Sequence, residues 1–293
     1  MIDLHMHTNA SDGTDMPAQL VRIVKEAGGD IMAITDHDTT AGLSEAANAA
    51  LSEGITFIPG VEFSVSYERE MHILGYAIDP SSPGLESVLE YVNDARLERN
   101  PQIIKKLRAS GMDISMELVE ELAKGSVIGR PHIAEALVKL GYVSSINEAF
   151  DRYLAKGRSA YVSKEKVSVE NCLSVIKEAG GVSVLAHPKT LGLGLYELDR
   201  LVNELKEKGL GGIEVYYSSH TYDERRQFYS IALKRRLLIT GGSDYHGLIK
   251  PDIKVGDGTS GPCPGLRESA EYLSTFSSTF SLGKEKVEEK ETS

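Results

Sequence analysis

Residues 4–14 read LHMHTNASDGT, two histidines one residue apart followed by Asp12. Met1 to His5 has the apolar character of a short strand. In a strand, side chains two apart project to the same side, so His5 and His7 can reach a common point. Taken alone, the HxH pattern reads more readily as a pair of exposed strand histidines than as metal ligands. The remainder of the chain decides between the two readings, through what it brings to the same place.

Strand-like and helix-like runs alternate outward from this stretch. Asp15 offers an N-cap, Pro17 falls in the first helical turn, and an apolar stripe from Leu20 to Ala27 ends at Gly28-Gly29. Ile31 to Thr35 reads as a buried strand and 42–53 as an alanine-rich helix. Ile55 to Ile58, Val61 to Val65 and Met71 to Tyr76 read as three further strands. From Arg99 to Glu165 the pattern is almost wholly helical, with breaks at Gly111, Gly125, Gly141 and Gly157. After Ser168 the alternation resumes, with strands at 182–186, 212–216 and 237–240. Such alternation predicts a parallel α/β sheet or barrel interrupted by a helical insertion. The implied division is a discontinuous barrel from 1–98 and 166–265, a substrate-binding insertion at 99–165, and a C-terminal helix with a poorly packed tail at 266–293.

The polar residues gather at one kind of position. His5, His7 and Asp12 follow the first strand. Asp36-His37-Asp38 follows IMAIT, and Glu62 lies in PGVEFS after ITFI. His72 opens HILGY, His187 follows VSVLA, and Asp244 and His246 follow LLIT in GGSDYH. Six of the eight histidines belong to this set. In parallel β/α architectures the C-terminal strand ends meet at one face, and sites are built there. Carboxylates gathered without partners would repel one another, whereas divalent cations accept imidazole and carboxylate together. The DHD run alone also fits a solvated turn or helix cap. Glu62 has apolar flanks, which favour a buried and paired carboxylate.

Bulk properties narrow the function classes. The 293 residues carry a net charge of −11, unlike a generic nucleic-acid coat. Residues 99–165 hold 11 Lys+Arg against 8 Asp+Glu, a local excess of +3 in an acidic chain. Such a segment can draw a small phosphate ligand to one place. It is equally an uneven surface charge. Two cysteines make no disulfide framework and fit a reducing compartment. Neither a signal peptide nor a long apolar span is visible, so a cytoplasmic protein without membrane attachment is expected.

As a set, LHMHTNASDGT, ITDHDTTAG, PGVEFS, HILGY, AHP and GGSDYHG resemble the PHP family, the polymerase and histidinol phosphatase metal hydrolases. RPHIAEALVKLGY and AFDRYLAKGRSAYV resemble a subgroup with nucleoside 3′,5′-bisphosphate phosphatases and 5′-to-3′ exoribonucleases. The resemblance implies a distorted seven-stranded β/α barrel and three divalent metal ions, manganese first, with iron or zinc as alternatives. It implies that His5, His7, Glu62 and Asp244 hold one ion, that Asp12, His37 and His246 hold a second, and that Glu62, His72 and His187 hold a third. His5, His7, Asp12, Glu62, Asp244 and His246 are the candidate catalytic groups.

The expected reaction is hydrolysis of a phosphoric monoester, foremost the 3′-phosphate of a nucleoside bisphosphate. Exonucleolytic cleavage of short 5′-phosphorylated RNA is the alternative, and duplex DNA is not an expected partner. Histidinol phosphate hydrolysis and a non-catalytic metal-binding module complete the field. Arg130, His132, Lys156 and Arg158 are the candidate substrate-binding residues, since Arg and Lys suit phosphate. Each is also an ordinary solvated charge. His220 reads as a surface or supporting residue, and Tyr216 and Tyr217 as base-stacking or core residues.

Overall fold

The computed structural model describes residues 1–123 and 127–277. Gly125 and the tail after Ser277 lie outside them. The first half contains β1 (Ile2–Asp3), α1 (Pro17–Glu26), β2 (Ile31–Ile34), α2 (Leu43–Glu53), β3 (Thr56–Ser66) and β4 (Met71–Tyr76). A helical stretch follows: α3 (Pro83–Ala109), α4 (Met116–Ala123), α5 (Arg130–Lys139), α6 (Ile146–Ala149) and a π-helical turn at Phe150–Leu154. The chain returns through β5 (Val167–Ser168), α7 (Val169–Glu178), β6 (Val182–Leu185), α8 (Leu195–Glu207), β7 (Gly212–Tyr217), α9 (Tyr222–Arg235), β8 (Leu238–Gly242) and α10 (Leu266–Ser277). No helix among the described residues is long and apolar enough to cross a membrane.

The sheet runs β1-β2-β3-β4-β6-β7-β8, with β5 paired to β3 off this path. Its two edges meet through Leu4 N–H to Gly241 O (3.1 Å), Asp244 N–H to His5 O (2.8 Å) and His7 N–H to Tyr245 O (2.9 Å), giving a nearly closed seven-stranded barrel. The expected α/β barrel is therefore present, with one correction: the sheet is mixed. β4 runs antiparallel to both β3 and β6, while the remaining neighbours are parallel. This reversal explains why His72 opens its strand. The start of β4 lies where the other strands end.

Two expected strands are one. β3 runs unbroken through Pro59-Gly60, pairing β2 over Thr56–Pro59 and β4 over Gly60–Val65. Proline lacks a ladder donor. A side chain at position 60 would sit 2.8 Å from Thr35 Cγ2 and 2.9 Å from Ile34 O. Gly60 is thus where one strand changes partner, and Glu62 follows directly. At α1 the cap is Met16, not Asp15, because the Asp15 carboxylate accepts the Tyr245 hydroxyl at 2.7 Å.

The interior splits into two apolar clusters. One fills the barrel and the layer beneath its helices. The other joins residues between Ile103 and Ala160, among them Ile133, Leu137 and Leu154, and lies beside the barrel face that carries the polar strand ends.

Barrel closure leaves no room at Gly242. A Cβ there would lie 2.4 Å from the backbone nitrogen and Cβ of His5. Gly242→Ala forces β8 away from β1. At about 1–3 kcal/mol for overpacking, the melting temperature falls by roughly 2–10 °C. An unchanged melting curve would contradict this account of closure.

Candidate metal centre and basic cleft

At the face where the strands end, five imidazoles converge on one carboxylate. Glu62 is only 1% exposed. Its Oε1 lies 2.8 Å from His72 Nδ1 and 2.9 Å from His187 Nε2. Its Oε2 lies 3.3 Å from His5 Nε2, 3.2 Å from His7 Nε2 and 3.2 Å from His37 Nδ1. Asp244 Oδ1 sits 3.3 Å from His7 Nε2 and 3.5 Å from His246 Nδ1. Asp12 Oδ1 is 3.4 Å from His246 Nε2. All nine expected ligand residues thus form one cluster.

The loops that present them are held tightly. Asp36 does not face the cluster. Its carboxylate accepts Thr8 N–H (2.7 Å), Thr8 Oγ1 (2.6 Å) and Ser11 Oγ (2.6 Å), pinning the turn that carries Asp12. Asp38, His187 and Asp244 have φ of 54°, 25° and 59°, sparsely populated for residues with side chains. Such strain gathers at sites where surrounding contacts over-determine the backbone.

Burial opposes charge throughout the cluster, and at Glu62, Asp12, Asp244, His7 and His72 opposite charges outweigh it. The neighbouring imidazoles hold the Glu62 and Asp12 carboxyls well below the usual range, and Lys250 with His246 does the same for Asp244. Against burial, Asp244 and Glu62 raise His7 to about 9, and Glu62 raises His72 to about 9. Burial pushes His37 down to about 3. His7 and His72 must shed a proton to act as metal ligands, so uptake of a cation there releases protons.

The donor atoms suit divalent ions. Four groups bring ligand atoms within 4.8 Å of one another: His7-Asp12-His37-His246, His5-His7-Asp244, His5-Glu62-His187 and His37-Glu62-His72. His5 Nε2, both ring nitrogens of His7, and His37 Nδ1 are buried without a hydrogen-bond partner. Buried polar atoms seldom remain unpaired, and mixed imidazole and carboxylate donors fit Zn, Mn or Fe.

A cleft of about 180 Å³ runs from Asp12, His37 and His72 to a basic wall of Arg96, Arg99, Arg130, Lys164 and Lys166, with Phe150 and Tyr161 beside it. Asp38 accepts from Arg96 and from Lys164 (2.6 Å). Arg99 is 4% exposed and donates to the neutral Asn100 Oδ1 at 3.1 and 2.8 Å. Burial, helped by Arg96 and Arg130, pushes Arg99 down to about 9. The Arg130 guanidinium lies 5.7 Å from the rings of both Phe150 and Tyr161 and donates to Leu154 O at 3.2 Å, in the π-helical turn.

Of the four expected substrate-binding residues, only Arg130 lines this cleft. His132 is buried at the start of α5, where its Nδ1 accepts Gly129 N–H at 3.1 Å and caps the helix. Lys156 and Arg158 are exposed away from the wall, Lys156 donating to Glu68 O at 3.3 Å. His220 is buried rather than on the surface, with Nδ1 2.9 Å from Val215 O. Tyr217 donates its hydroxyl to Asp244 Oδ2 at 2.7 Å, and Tyr216 to Pro264 O at 2.9 Å. Sequence reasoning missed Arg96, Arg99, Lys164, Lys166 and the fully buried Glu214.

A model of the PHP domain family matches residues 3–165. A 3′,5′-nucleoside bisphosphate phosphatase of Chromobacterium violaceum is 38% identical over 250 residues, covering 84% of this chain and 87% of that protein. The 5′-3′ exoribonuclease Rnm of Escherichia coli is 36% identical over 247 residues, covering 83% and 84%. Among solved structures, a Bifidobacterium adolescentis protein assigned to the metal-dependent phosphoesterases matches with a TM-score of 0.85 at 31% identity, covering 94% of this chain and 96% of its own.

The basic wall has a pH signature. Burial pushes Lys164 down to about 8, against the pull of Asp38. A lysine loses its charge as pH rises through its pKa, so this cation is lost about two units earlier than a free lysine would lose it. Sulfate affinity, measured calorimetrically, therefore falls as pH rises from about 7 to 9. Lys164→Arg moves the fall upward. A wild-type affinity flat to pH 10 would contradict the assignment.

Proposed function

The chain belongs to the PHP domain family and is a metal-dependent phosphoesterase, and we propose that it removes the 3′-phosphate from a nucleoside 3′,5′-bisphosphate or a closely related nucleotide. One observation carries this reading. The imidazole–carboxylate cluster shares its cleft with Arg99 and Arg130, two guanidinium groups that pair with no carboxylate among the described residues. A buried cation such as Arg99 without an acid partner is costly, and a ligand phosphate would supply the missing anion. A substrate with two phosphates answers both ends of the cleft. The likeness to the C. violaceum bisphosphate phosphatase supports the same substrate class.

We infer three divalent ions, manganese first. His5, His7, Glu62 and Asp244 would hold one. Asp12, His37 and His246 would hold another, with His7 also within reach, and Glu62, whose Oε1 faces both rings, would hold the third with His72 and His187. When bound, such ions supply Lewis-acid neutralisation of phosphate oxygens and ionise an attacking water near neutral pH. The chain's own residues do the rest. Glu62 stands between the donor groups. Asp38 anchors Arg96 and Lys164, so that part of the cationic wall is fixed before substrate arrives. Arg99 and Arg130 grip the second phosphate, Arg offering two-pronged donation. Phe150 and Tyr161 offer ring faces to a base beside Arg130.

A second reading has its own support. The likeness to the E. coli exoribonuclease, with aromatic faces beside guanidinium groups, suits the end of a short 5′-phosphorylated RNA. Histidinol phosphate would leave Arg99 and Arg130 without a second anion. A degenerate, non-catalytic module would lack some of these residues, whereas all nine are present and converge.

The test is to incubate Mn-loaded protein with adenosine 3′,5′-bisphosphate and resolve AMP and inorganic phosphate. AMP forms, and Asp244→Asn slows it at least about 100-fold, as loss of a metal ligand or catalytic group does. Absence of phosphate release, with metal bound and a 5′-phosphorylated oligoribonucleotide shortened, would replace this reading with the second. In the same assay Arg130→Ala raises KM for the bisphosphate about 10-fold or more, the worth of a charged hydrogen bond. It changes KM for a single-phosphate nucleotide much less. Equal increases on both would remove Arg130 from the second phosphate.

A further inference from the structure

Glu214 is fully buried in the middle of β7 and belongs to none of the four ligand groups. Its two oxygens serve two different ligands. Oε1 lies 2.9 Å from His5 Nδ1, and Oε2 accepts the backbone N–H of His187 at 2.7 Å. A register shift between Glu214 and Tyr216 breaks the regular alternation of β7. Through it Glu214 and Tyr217, three residues apart, both face the cluster. One carboxylate from β7 therefore ties the end of β1 to the end of β6.

The chemistry of this contact is specific. A carboxylate only accepts, so His5 must carry its proton on Nδ1 to satisfy Glu214. That leaves Nε2 bare, and Nε2 is the buried atom without a partner, 3.3 Å from Glu62 Oε2 and 3.6 Å from Asp244 Oδ1. The second bond holds His187 where its backbone is strained, at φ 25°. Resting on the reading that the cluster holds divalent ions, we propose that Glu214 is a positioning residue. It fixes His5 in the tautomer that ligates through Nε2, and it locks His187 in its left-handed conformation. It touches neither substrate nor ion and acts through these two ligands. Metal-ligating histidines commonly owe their orientation to such a partner.

Glu214→Gln tests this with little change in volume. The two donors need two acceptors, and an amide offers one acceptor and one donor. Either a donor goes unmet or His5 turns its proton to Nε2 and ceases to ligate. Manganese affinity by calorimetry, metal content per chain, and the visible spectrum of the cobalt-loaded protein are the readouts. The expected result is a folded variant with about 10–100-fold weaker binding of the ion at His5, an altered cobalt spectrum, and little further loss when His5→Ala is added. Unchanged affinity, content and spectrum would overturn the proposal, as would losses that simply add. Should the variant not fold, nitrogen NMR of the zinc-loaded wild-type protein decides: a proton on His5 Nδ1 supports the proposal, and one on Nε2 overturns it. Wild-type protein that takes up no ion would overturn the metal reading itself, and this inference with it. Metal uptake unaffected by Glu214→Gln would leave that reading standing and remove only the role of Glu214.

Discussion

Everything at the polar face depends on one constraint: Glu62 is buried, ionised and surrounded by five imidazoles from four separate segments of chain. A desolvated carboxylate is tolerated only when paired and hydrogen-bonded. The barrel can be understood as the device that assembles those partners. β3 changes partner at Gly60, directly ahead of Glu62. β4 runs antiparallel, so that His72 arrives from the start of its strand. β8 closes on β1 at Gly242, which sets Asp244 against His5 and His7. Rings crowd as a result, His7 and His246 stacking with centroids 4.0 Å apart. Pairing among themselves still leaves buried nitrogens without partners, and cations resolve that shortage better than any rearrangement of protons.

Opposite this anionic and imidazole-rich floor stands a cationic wall, in a protein whose net charge is −11. Its construction is graded. Arg96 and Lys164 are tied to Asp38 at the back, next to His37 in the chain, so floor and wall share a loop. Arg99 and Arg130 pair with no acid among the described residues. The wall comes from the helical segment whose own apolar cluster packs beside the barrel. On the proposed reading, the barrel supplies the reactive groups and the basic wall beside it the grip on the second phosphate.

The convergence of these residues was legible in the sequence because imidazoles and carboxylates are costly and were concentrated at strand ends, a place with a known geometric meaning. His72 looked irregular only because the reversal of β4 leaves no local mark. Glu214 was illegible for a related reason. Within GIEVYY it reads as one polar residue in a buried strand, and the bulge that turns both it and Tyr217 to the site depends on pairing with β8. Arg96 and Arg99 were hidden differently. On a long helix every charged residue resembles a solvated one, and only the packing of α3 against the barrel shows which side is enclosed. Lys156 and Arg158 sat in a persuasive motif, yet the chain turns them outward. His132 caps a helix instead of reaching into the cleft.

The central claim is that this cluster exists to hold divalent ions about Glu62. Its most direct test is an anomalous diffraction map from crystals grown with manganese, collected at the manganese edge. The account predicts three peaks among His5, His7, Asp12, His37, Glu62, His72, His187, Asp244 and His246, with Glu62 touching more than one of them. A map with manganese elsewhere, or with no peak at Glu62, would contradict it.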